Sequence, residues 1–403
     1  MKKVLFLMML AGSAVAAESP VNDVAVRQRW PWSNKVDIEF VLDGPSAQPY
    51  DVTLSFSNGD TPLEIPSSAI SGTLRHVLPG LRRVVWDPSL SGHGQAELKD
   101  LRVSVTAVKE PTYLIVDLAT GEKSYRSDPG LWEGVNDVVY KTDKMVFKRV
   151  RAGSFKMGSS YRELSTVWMA QHDVTLTEDY WLGVFEVTQA QYNKLTGSWP
   201  SYSANVEDRA CRPVESVSLA TVRGSSSAER FNCTATSFIG LLAAKTSLRM
   251  DLPTEAQIEY AQRAGDQRDG DWYQGASTDA AAAGLLRFEV DGTPQAYRDL
   301  TDDQKRQAPI SVGGTAEVGH CPPNAWGFYD LSGNVWEMTV DAFGLDSEAV
   351  TNPYYPLGTG EETVIHGGCY TASIQWCKNC TRSNFYAQLT QNDIGFRLMA
   401  EVE

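Results

Sequence analysis

The stretch PNAWGFYDLSGNVWEM, Pro323–Met338, decides the fold prediction for this chain. It combines glycines, aromatic residues and carboxylates without the regular period of a helix or a strand. Most of the sequence from Met145 onward has the same texture. Because long structureless segments are unusual in a compact domain, we expect a fold whose irregular parts are held by turns, metal ions and disulfides.

Short helices interrupt this texture at three places. The phrases TQAQYNKLTG and PTEAQIEYAQRAG each carry a threonine three residues before a glutamine and end in glycine. That pattern is typical of a capping box followed by a glycine C-cap. It predicts helices that begin after Thr188 and after Thr254, and a third helix is expected within Ala235–Lys245.

Six phrases of this region, taken in order, resemble the formylglycine-generating enzyme, or sulfatase-modifying factor, family. They are MVFKRVRAGSFKMGS (Met145–Ser159), FEVTQAQYNKLTG (Phe185–Gly197), RPVESVS (Arg212–Ser218), DLPTEAQIEYAQRAG (Asp251–Gly265), the stretch quoted above, and HGGCY with NDIGFRL (within His366–Leu398). The resemblance covers roughly residues 145–400. It implies an α+β fold of the C-type-lectin-like kind, with little regular secondary structure.

The resemblance also implies a chemistry and a way to test for it. Enzymes of the family oxidise a sulfatase cysteine to formylglycine with O2, copper and two active-site cysteines, which lie four and nine residues after paired glycines. Here the pair is Gly367 and Gly368, and those two positions hold Ala372 and Cys377. Because linear Cu(I) binding needs two sulfur ligands, a lone Cys377 argues against copper and against this oxidation.

Cys377 stays a catalytic candidate only if Cys369 supplies the second thiol, and otherwise it is buried or disulfide-bonded. Cys377 and Cys380 also form a C-x-x-C pair, but nothing nearby indicates a redox helix or a zinc site. We expect structural disulfides among the six cysteines, and the sequence leaves their pairing open.

DLSGNVWE, Asp330–Glu337, matches the calcium motif of the family. The match implies side-chain ligands from Asp330 and Glu337 and carbonyl ligands from Gly333 and Val335. Ca2+ prefers oxygen ligands and accepts such a mixture, so one structural Ca2+ is expected. No second set can be matched in Leu285–Val312, so no ion is expected there. The alternative is a glycine turn in which Glu337 bonds to the backbone.

The segment after Gly368 is rich in residue types that dominate binding surfaces. The candidate binding residues are Tyr370, Trp376, Arg382, Asn384, Phe385 and Tyr386. Core packing is the alternative, above all for Trp376. Arg397 in NDIGFR is expected in a structural ion pair. The stretch Tyr370–Gln391 lies between framework-like phrases, a layout seen in family relatives diversified by retroelements.

The first part of the chain has a different pattern. KVDIEFVLDG, YDVTLSFSNGD, LRHVLPGLRRVVWD and LKDLRVSVTAV alternate apolar and polar residues with turns between them. Residues 18–110 are therefore predicted to form a small all-β sandwich of immunoglobulin-like type. Residues 111–144 are expected to be a linker with a hairpin, and residues 145–403 the family domain.

Composition excludes some functions and indicates a compartment. The net charge is −14, so binding to nucleic acid is not expected. Residues 1–17 combine two lysines, a short apolar run and Ala14-Val15-Ala16, which predicts a signal peptide and a secreted or periplasmic protein. No later apolar run is long enough for a transmembrane helix.

Three functions follow from these observations. The favoured one is an exported, catalytically inactive family member that binds a protein, peptide or glycan through its C-terminal surface. The second is a formylglycine-generating oxidoreductase with altered thiols, which keeps enzymatic activity open. The third is an envelope protein whose sandwich docks to another chain.

Overall fold

The computed structural model describes residues 20–46, 48–131, 133–159, 170–202, 208–224, 229–265, 314–344, 349–358, 362–372 and 374–402. The predicted signal peptide and the Leu285–Val312 segment lie outside these ranges. The chain divides into two compact units, Met1–Pro111 and Thr112–Glu403. No helix in the described part of the chain is long and apolar enough to cross a membrane.

The first unit contains two antiparallel sheets. One has the strand order β1-β2-β6-β5 and the other β4-β3-β7. The strands are β1 (Val21–Gln28), β2 (Val36–Leu42), β3 (Tyr50–Asn58), β4 (Thr61–Leu63), β5 (Ile70–Ser71), β6 (Gly80–Trp86) and β7 (Leu101–Lys109). Ile38 and Phe40 of β2, Phe56 of β3 and Val105 of β7 belong to one buried cluster, so a single core joins both sheets.

The second unit is a mixed α+β assembly with few helical residues. Its helices are α1 (Val139–Thr142), α2 (Gln189–Thr196), α3 (Leu219–Val222), α4 (Phe238–Thr246) and α5 (Glu255–Arg263). Its strands are β8 (Tyr113–Asp117), β9 (Lys123–Arg126), β10 (Lys144–Val150), β11 (Gly153–Met157), β12 (His172–Leu176), β13 (Tyr180–Gly183), β14 (Met250–Asp251), β15 (Trp336–Ala342), β16 (Val350–Thr351), β17 (Glu362–His366), β18 (Arg382–Tyr386), β19 (Ile394–Gly395) and β20 (Met399–Glu401).

Three sheets organise these strands. They have the orders β14-β20-β13-β10-β8-β9, β11-β12-β16 and β18-β17-β15-β19. The third sheet carries the candidate site. Its central strands β17 and β15 are antiparallel, and β19 adds in parallel to β15 at Trp336 and Glu337. Strand β19, near the end of the described chain, is thereby held next to the end of the Pro323–Met338 stretch.

The predicted helices are present and begin as the sequence indicates. Thr188 accepts the Gln191 backbone N–H, and the Gln191 side chain accepts the Thr188 backbone N–H, which completes a capping box. Thr254 and Gln257 form the same arrangement at α5. The α5 helix ends one residue earlier than expected, because Ala264 takes the left-handed conformation at its C-cap.

The segment predicted as a linker is part of the second unit. It does form a hairpin, β8–β9, but β8 also pairs with β10 along five residues and so joins the six-stranded sheet. Leu114, Val116 and Leu118 are fully buried in the core. These apolar side chains contribute to the stability of the second unit.

Gly240 in α4 provides a test of this packing. A Cβ at this position would overlap the carbonyl oxygen of Thr234, although the backbone conformation is ordinary for a helix. We expect Gly240→Ala to lower the free energy of unfolding by about 2 kcal/mol, because steric overlap outweighs the better helix propensity of alanine. Urea unfolding measures this change.

Gly344→Ala is the matched control, because a Cβ there meets open space. It should change the free energy of unfolding by less than about 0.5 kcal/mol. Equal effects of the two substitutions would contradict the packing described for α4.

Candidate functional site

The paired glycines after β17 create a close packing arrangement. Gly367 and Gly368 have φ values of 96° and 76°, a region that side chains rarely adopt. A Cβ on Gly368 would lie 2.7 Å from Cys377 Sγ. Glycine is therefore required at position 368 both for its backbone conformation and for the sulfur that packs against it.

The two thiols at this turn are buried. Cys377 has no exposed surface, and Cys369 is 1% exposed. The backbone N–H of Cys369 donates to Cys377 Sγ, but burial raises the pKa of the Cys377 thiol well above its usual value. Since thiolates are the nucleophiles and metal ligands, a buried neutral thiol is poorly suited to either role.

Cys369 lies in a more polar environment. Its Sγ lies 3.1 Å from Thr371 Oγ1 and 3.5 Å from Asp393 Oδ2, and Thr371 Oγ1 donates to the same carboxylate oxygen. Burial, with the Asp393 charge as a second cause, raises the pKa of Cys369 to about 12. Ala372, at the position that carries a cysteine in the copper enzymes, is half-buried, and its N–H donates to the Cys369 carbonyl.

Three of the six candidate binding residues are exposed. Trp376 is 38% exposed and Tyr386 is 51% exposed, and Asn384 between them in sequence is also exposed. Trp376 packs edge-on against Trp336, with ring centroids 6.2 Å apart, so one side of its ring has support. These three residues are called the C-terminal surface below.

The other three candidates are buried and point elsewhere. Arg382 donates to Glu255 Oε2 at 2.7 Å and also bonds to the Gly344 carbonyl. Phe385 belongs to the main core, and Tyr370 is 5% exposed. Arg382 and Phe385 thus hold β18 against the core, and their side chains are too buried to contact a ligand.

Sequence reasoning did not identify a neighbouring loop with exposed aromatic residues. Tyr202 is 76% exposed, and its N–H donates to Glu215 Oε2. Tyr202 and Glu215 both lie close enough to Tyr370 to help raise its pKa. Trp199 is 42% exposed, and the Arg209 guanidinium lies 4.3 Å from its ring centroid. In the sequence this loop corresponds to the phrase SWPSYS, which follows neither the period of a helix nor that of a strand.

A buried polar network lies beneath β17 and β18. Glu255, with Arg382 as its ion-pair partner, begins α5, and its N–H donates to Asp341 Oδ2 at 2.6 Å. Burial raises the pKa of Glu255 to about 8 and that of Asp341 to about 6. Arg263 pairs with Glu259 at 2.7 Å one turn later. Helix α5 therefore contributes charge to the site as well as apolar contacts.

His366 is the least satisfied member of this network. It is fully buried, and neither ring nitrogen has a hydrogen-bond partner among the described residues. Nε2 lies 4.0 Å from Glu259 Oε2. Burial lowers the pKa of His366 to about 3, with Arg382 and Arg263 as further causes. The imidazole is therefore neutral at physiological pH.

The predicted calcium motif forms a tight turn around buried carboxylates. Asp330 has φ 54° and accepts the Gly319 N–H at 2.6 Å, while Gly333 has φ 89° and donates to the Gly367 carbonyl. The Val335 N–H donates to Glu186 Oε1 at 3.3 Å. Glu186 was not identified from the sequence, because it lies far from the motif in the chain.

The remaining member of the motif, Glu337, makes a buried ion pair. Arg397 donates to both of its carboxylate oxygens at 2.5 Å and also to the carbonyls of Gly183 and Tyr329. Arg397 thus takes the structural role expected of it. Glu337 bonds to this side chain, whereas the sequence alternative gave it backbone partners.

The charges around the motif fit a hard cation. Glu186, Asp330 and Glu337 are three buried carboxylates close to one arginine, and burial followed by mutual repulsion raises the pKa of Glu186 well above its usual value. Burial raises the pKa of Asp330 to about 6. The surplus of acidic oxygens suits Ca2+. Among the described residues, however, no three His, Cys, Asp or Glu side chains form a ready-made metal cluster, so carbonyl ligands would be needed.

This chain matches a family model and several known proteins. Residues 135–402 match the model of the sulfatase-modifying factor enzyme 1-like domain. The formylglycine-generating enzyme of Mus musculus is 30% identical over 159 residues, which cover 37% of this chain and 39% of that enzyme. The enzyme of Mycobacterium tuberculosis is 28% identical over 162 residues, which cover 37% of this chain and 50% of that protein. The chain thus spans half or less of the length of these two relatives.

A solved structure shares the fold. Treponema denticola variable protein 1 superimposes with a TM-score of 0.51 at 22% identity, over 64% of this chain and 96% of that one. At this identity the likeness concerns the fold alone.

His366 predicts a specific dependence of stability on pH. Its pKa is about 3 in the folded protein and 6.5 as the ordinary value, so the folded state binds fewer protons between these limits. Stability from this residue is complete above pH 6.5 and is lost as the pH falls. Between pH 7 and pH 5 the loss is about 2 kcal/mol. His366→Gln should remove it, as measured by urea unfolding at both pH values.

Glu255 and Asp341 act in the opposite sense, because their pKa values are raised and their contribution is lost as the pH increases. They are present in both proteins, so the difference between wild type and variant isolates His366. The same pH dependence in both proteins would refute the buried neutral imidazole.

Proposed function

The chain belongs to the sulfatase-modifying factor family, and on that premise we propose that it is an exported member that binds a ligand and does not generate formylglycine. The ligand is a protein, peptide or glycan, and it binds at the C-terminal surface. The predicted signal peptide supports secretion or a periplasmic location. One observation carries the proposal: the thiols beside the paired glycines, Cys369 and Cys377, are buried and neutral, and Ala372 supplies no sulfur.

The distribution of exposed residues supports a binding role. Trp376, Asn384 and Tyr386 offer aromatic and amide groups, while Arg382 and Phe385 hold the same segment to the core. Tryptophan and tyrosine provide large contact area with few rotatable bonds, which is why they dominate binding hot spots. A surface of this kind tolerates substitution without loss of the fold. This supports the suggestion that the segment is diversified among relatives, and the shared fold with a protein named variable protein 1 is consistent with it.

A binding screen with matched variants tests this role. The purified protein is used to probe a glycan array and a displayed peptide library, and every ligand found is re-tested with Trp376→Ala and Tyr386→Ala. We expect each substitution to weaken binding about tenfold or more, because each removes an exposed aromatic contact.

Trp32→Ala in the first unit is the control, since Trp32 is 88% exposed and lies outside the C-terminal surface. Its affinity should equal that of the wild type. A ligand whose affinity depends on Trp32 and ignores both C-terminal variants would place the binding surface elsewhere.

The alternative function is oxidation of a sulfatase cysteine. The contact between the Cys369 N–H and Cys377 Sγ favours it, because it brings two cysteines together near the position of the enzymes' thiols. We expect no conversion of a sulfatase-derived cysteine peptide to the aldehyde in the presence of Cu(I), O2 and a reductant, as followed by mass spectrometry. Conversion by the wild type that is abolished in Cys377→Ser would show that the protein is an enzyme.

A structural Ca2+ is the second part of the proposal. Asp330 and Glu337 would supply carboxylates and Gly333 and Val335 would supply carbonyls, with Glu186 contributing negative charge nearby. The ion would neutralise buried charge and stabilise the turn next to Gly367. At a concentration a hundredfold above its dissociation constant it should stabilise the second unit by about 2.7 kcal/mol.

Thermal unfolding with and without Ca2+ measures this effect. We expect the melting temperature to rise with Ca2+ in the wild type and in the control Asp173→Ala, whose carboxylate is exposed on β12. Asp330→Ala should lose the response whatever its own stability. An equal response in all three proteins, or no response in any, would contradict the site.

A further inference from the structure

The sulfur atom of Cys377 lies next to the backbone nitrogen of Cys369. It is 2.7 Å from the place that a Cβ of Gly368 would occupy, and it accepts the backbone N–H of Cys369. The side chain of Cys369 branches from the Cα atom that is bonded to this nitrogen. The two sulfur atoms are not bonded to each other in the structure, and Cys369 Sγ lies 3.1 Å from Thr371 Oγ1. A bond between the two sulfur atoms requires the Cys369 side chain to exchange Thr371 for Cys377 Sγ.

Two of the other cysteines, Cys211 and Cys233, have different neighbours. Cys233 Sγ lies near Met250 O and Asp251, and Cys211 lies near Glu317 and Lys141. Cys380 follows Cys377 by three residues and is the competitor that the sequence suggests. The contact that favours Cys369 is the hydrogen bond from its backbone N–H to Cys377 Sγ.

We propose that Cys369 and Cys377 form a disulfide that closes the loop carrying Trp376. The two thiols lose two protons and two electrons, one S–S bond forms, and a small-molecule or protein disulfide accepts the electrons and becomes two thiols. The expected export of the chain would supply such an oxidant. The inference rests on the contact between the two residues and does not depend on the identity of a ligand.

Burial determines when this bond forms and how long it lasts. Both cysteines are within the core, where an exchange partner has little access, and burial holds their thiols in the neutral form. Exchange requires a thiolate and an open path. The bond therefore forms while the chain folds, and afterwards it resists reductants that do not enter the folded protein.

The disulfide has two consequences for the surface above it. Trp376 directly precedes Cys377, so the bond restricts the backbone at Trp376 and this residue loses less freedom when it meets a ligand. Both thiols are also consumed, so the pair is unavailable for Cu(I) or for oxidation of a substrate cysteine.

Peptide mapping of the full chain tests the proposal. The protein is produced in an oxidising bacterial envelope, purified without reductant, denatured with iodoacetamide present and digested. We expect a linked peptide pair that contains Cys369 and Cys377 and separates after reduction. Complete alkylation of both cysteines without reduction, or a Cys377–Cys380 link, would overturn the proposal.

Melting temperatures of alanine variants give an independent measurement. A disulfide across this short loop should raise the melting temperature by about 5 °C. Cys369→Ala, Cys377→Ala and the double variant should then lose similar amounts, because removing either sulfur removes the same bond.

Cys233→Ala provides the control pair, and its effect should add to that of Cys377→Ala. Additive losses at positions 369 and 377 would show two separate thiols. Ligand binding plays no part in either measurement, so a failure here is distinguishable from a failure of the binding proposal.

Discussion

The second unit depends on the buried guanidinium of Arg397. It bonds to both carboxylate oxygens of Glu337 and to the carbonyls of Gly183, Val184 and Tyr329. These partners come from β15, from the end of β13 and from the residue before the predicted calcium motif. A fold with little regular structure leaves many backbone groups without ladder partners, and one arginine with five donors satisfies several of them at once. Loss of either member of the buried pair would strand the other charge in the core.

The candidate surface is built on a second network of the same kind. Arg382 joins β18 to the first turn of α5 through Glu255, and the ring of Phe343 lies 4.7 Å from its guanidinium carbon. Strand β18 is thus held to the core by the Arg382–Glu255 ion pair and by the buried ring of Phe385, while Asn384 and Tyr386 are exposed to solvent. The candidate binding residues Asn384 and Tyr386 alternate along one short strand with the buried residues Arg382 and Phe385. Under the proposed function, a ligand would be recognised without disturbing the core.

The sequence predicted the elements whose determinants are local. The capping boxes at Thr188 and Thr254 mark α2 and α5, and the alternating runs mark β2 and β3, because caps and periods are written within a few residues. It did not predict partners that are distant in sequence. Glu337 meets Arg397 across sixty residues, β8 pairs with β10, and the buried faces of the 370–386 segment follow from the elements packed against it. The loop with exposed aromatic residues at Tyr202 was not predicted, because its sequence has no hydrophobic periodicity.

The contact between Gly368 and Cys377 has a consequence for the evolution of this protein. No larger side chain fits at position 368 while the Cys377 sulfur occupies its present place, so the residues allowed at position 368 depend on the residue at position 377. Neighbouring exposed positions carry no such mutual constraint. Substitutions should accordingly be tolerated far better at Trp376, Asn384 and Tyr386 than at the glycine turn, which leaves the framework unchanged while the exposed residues vary.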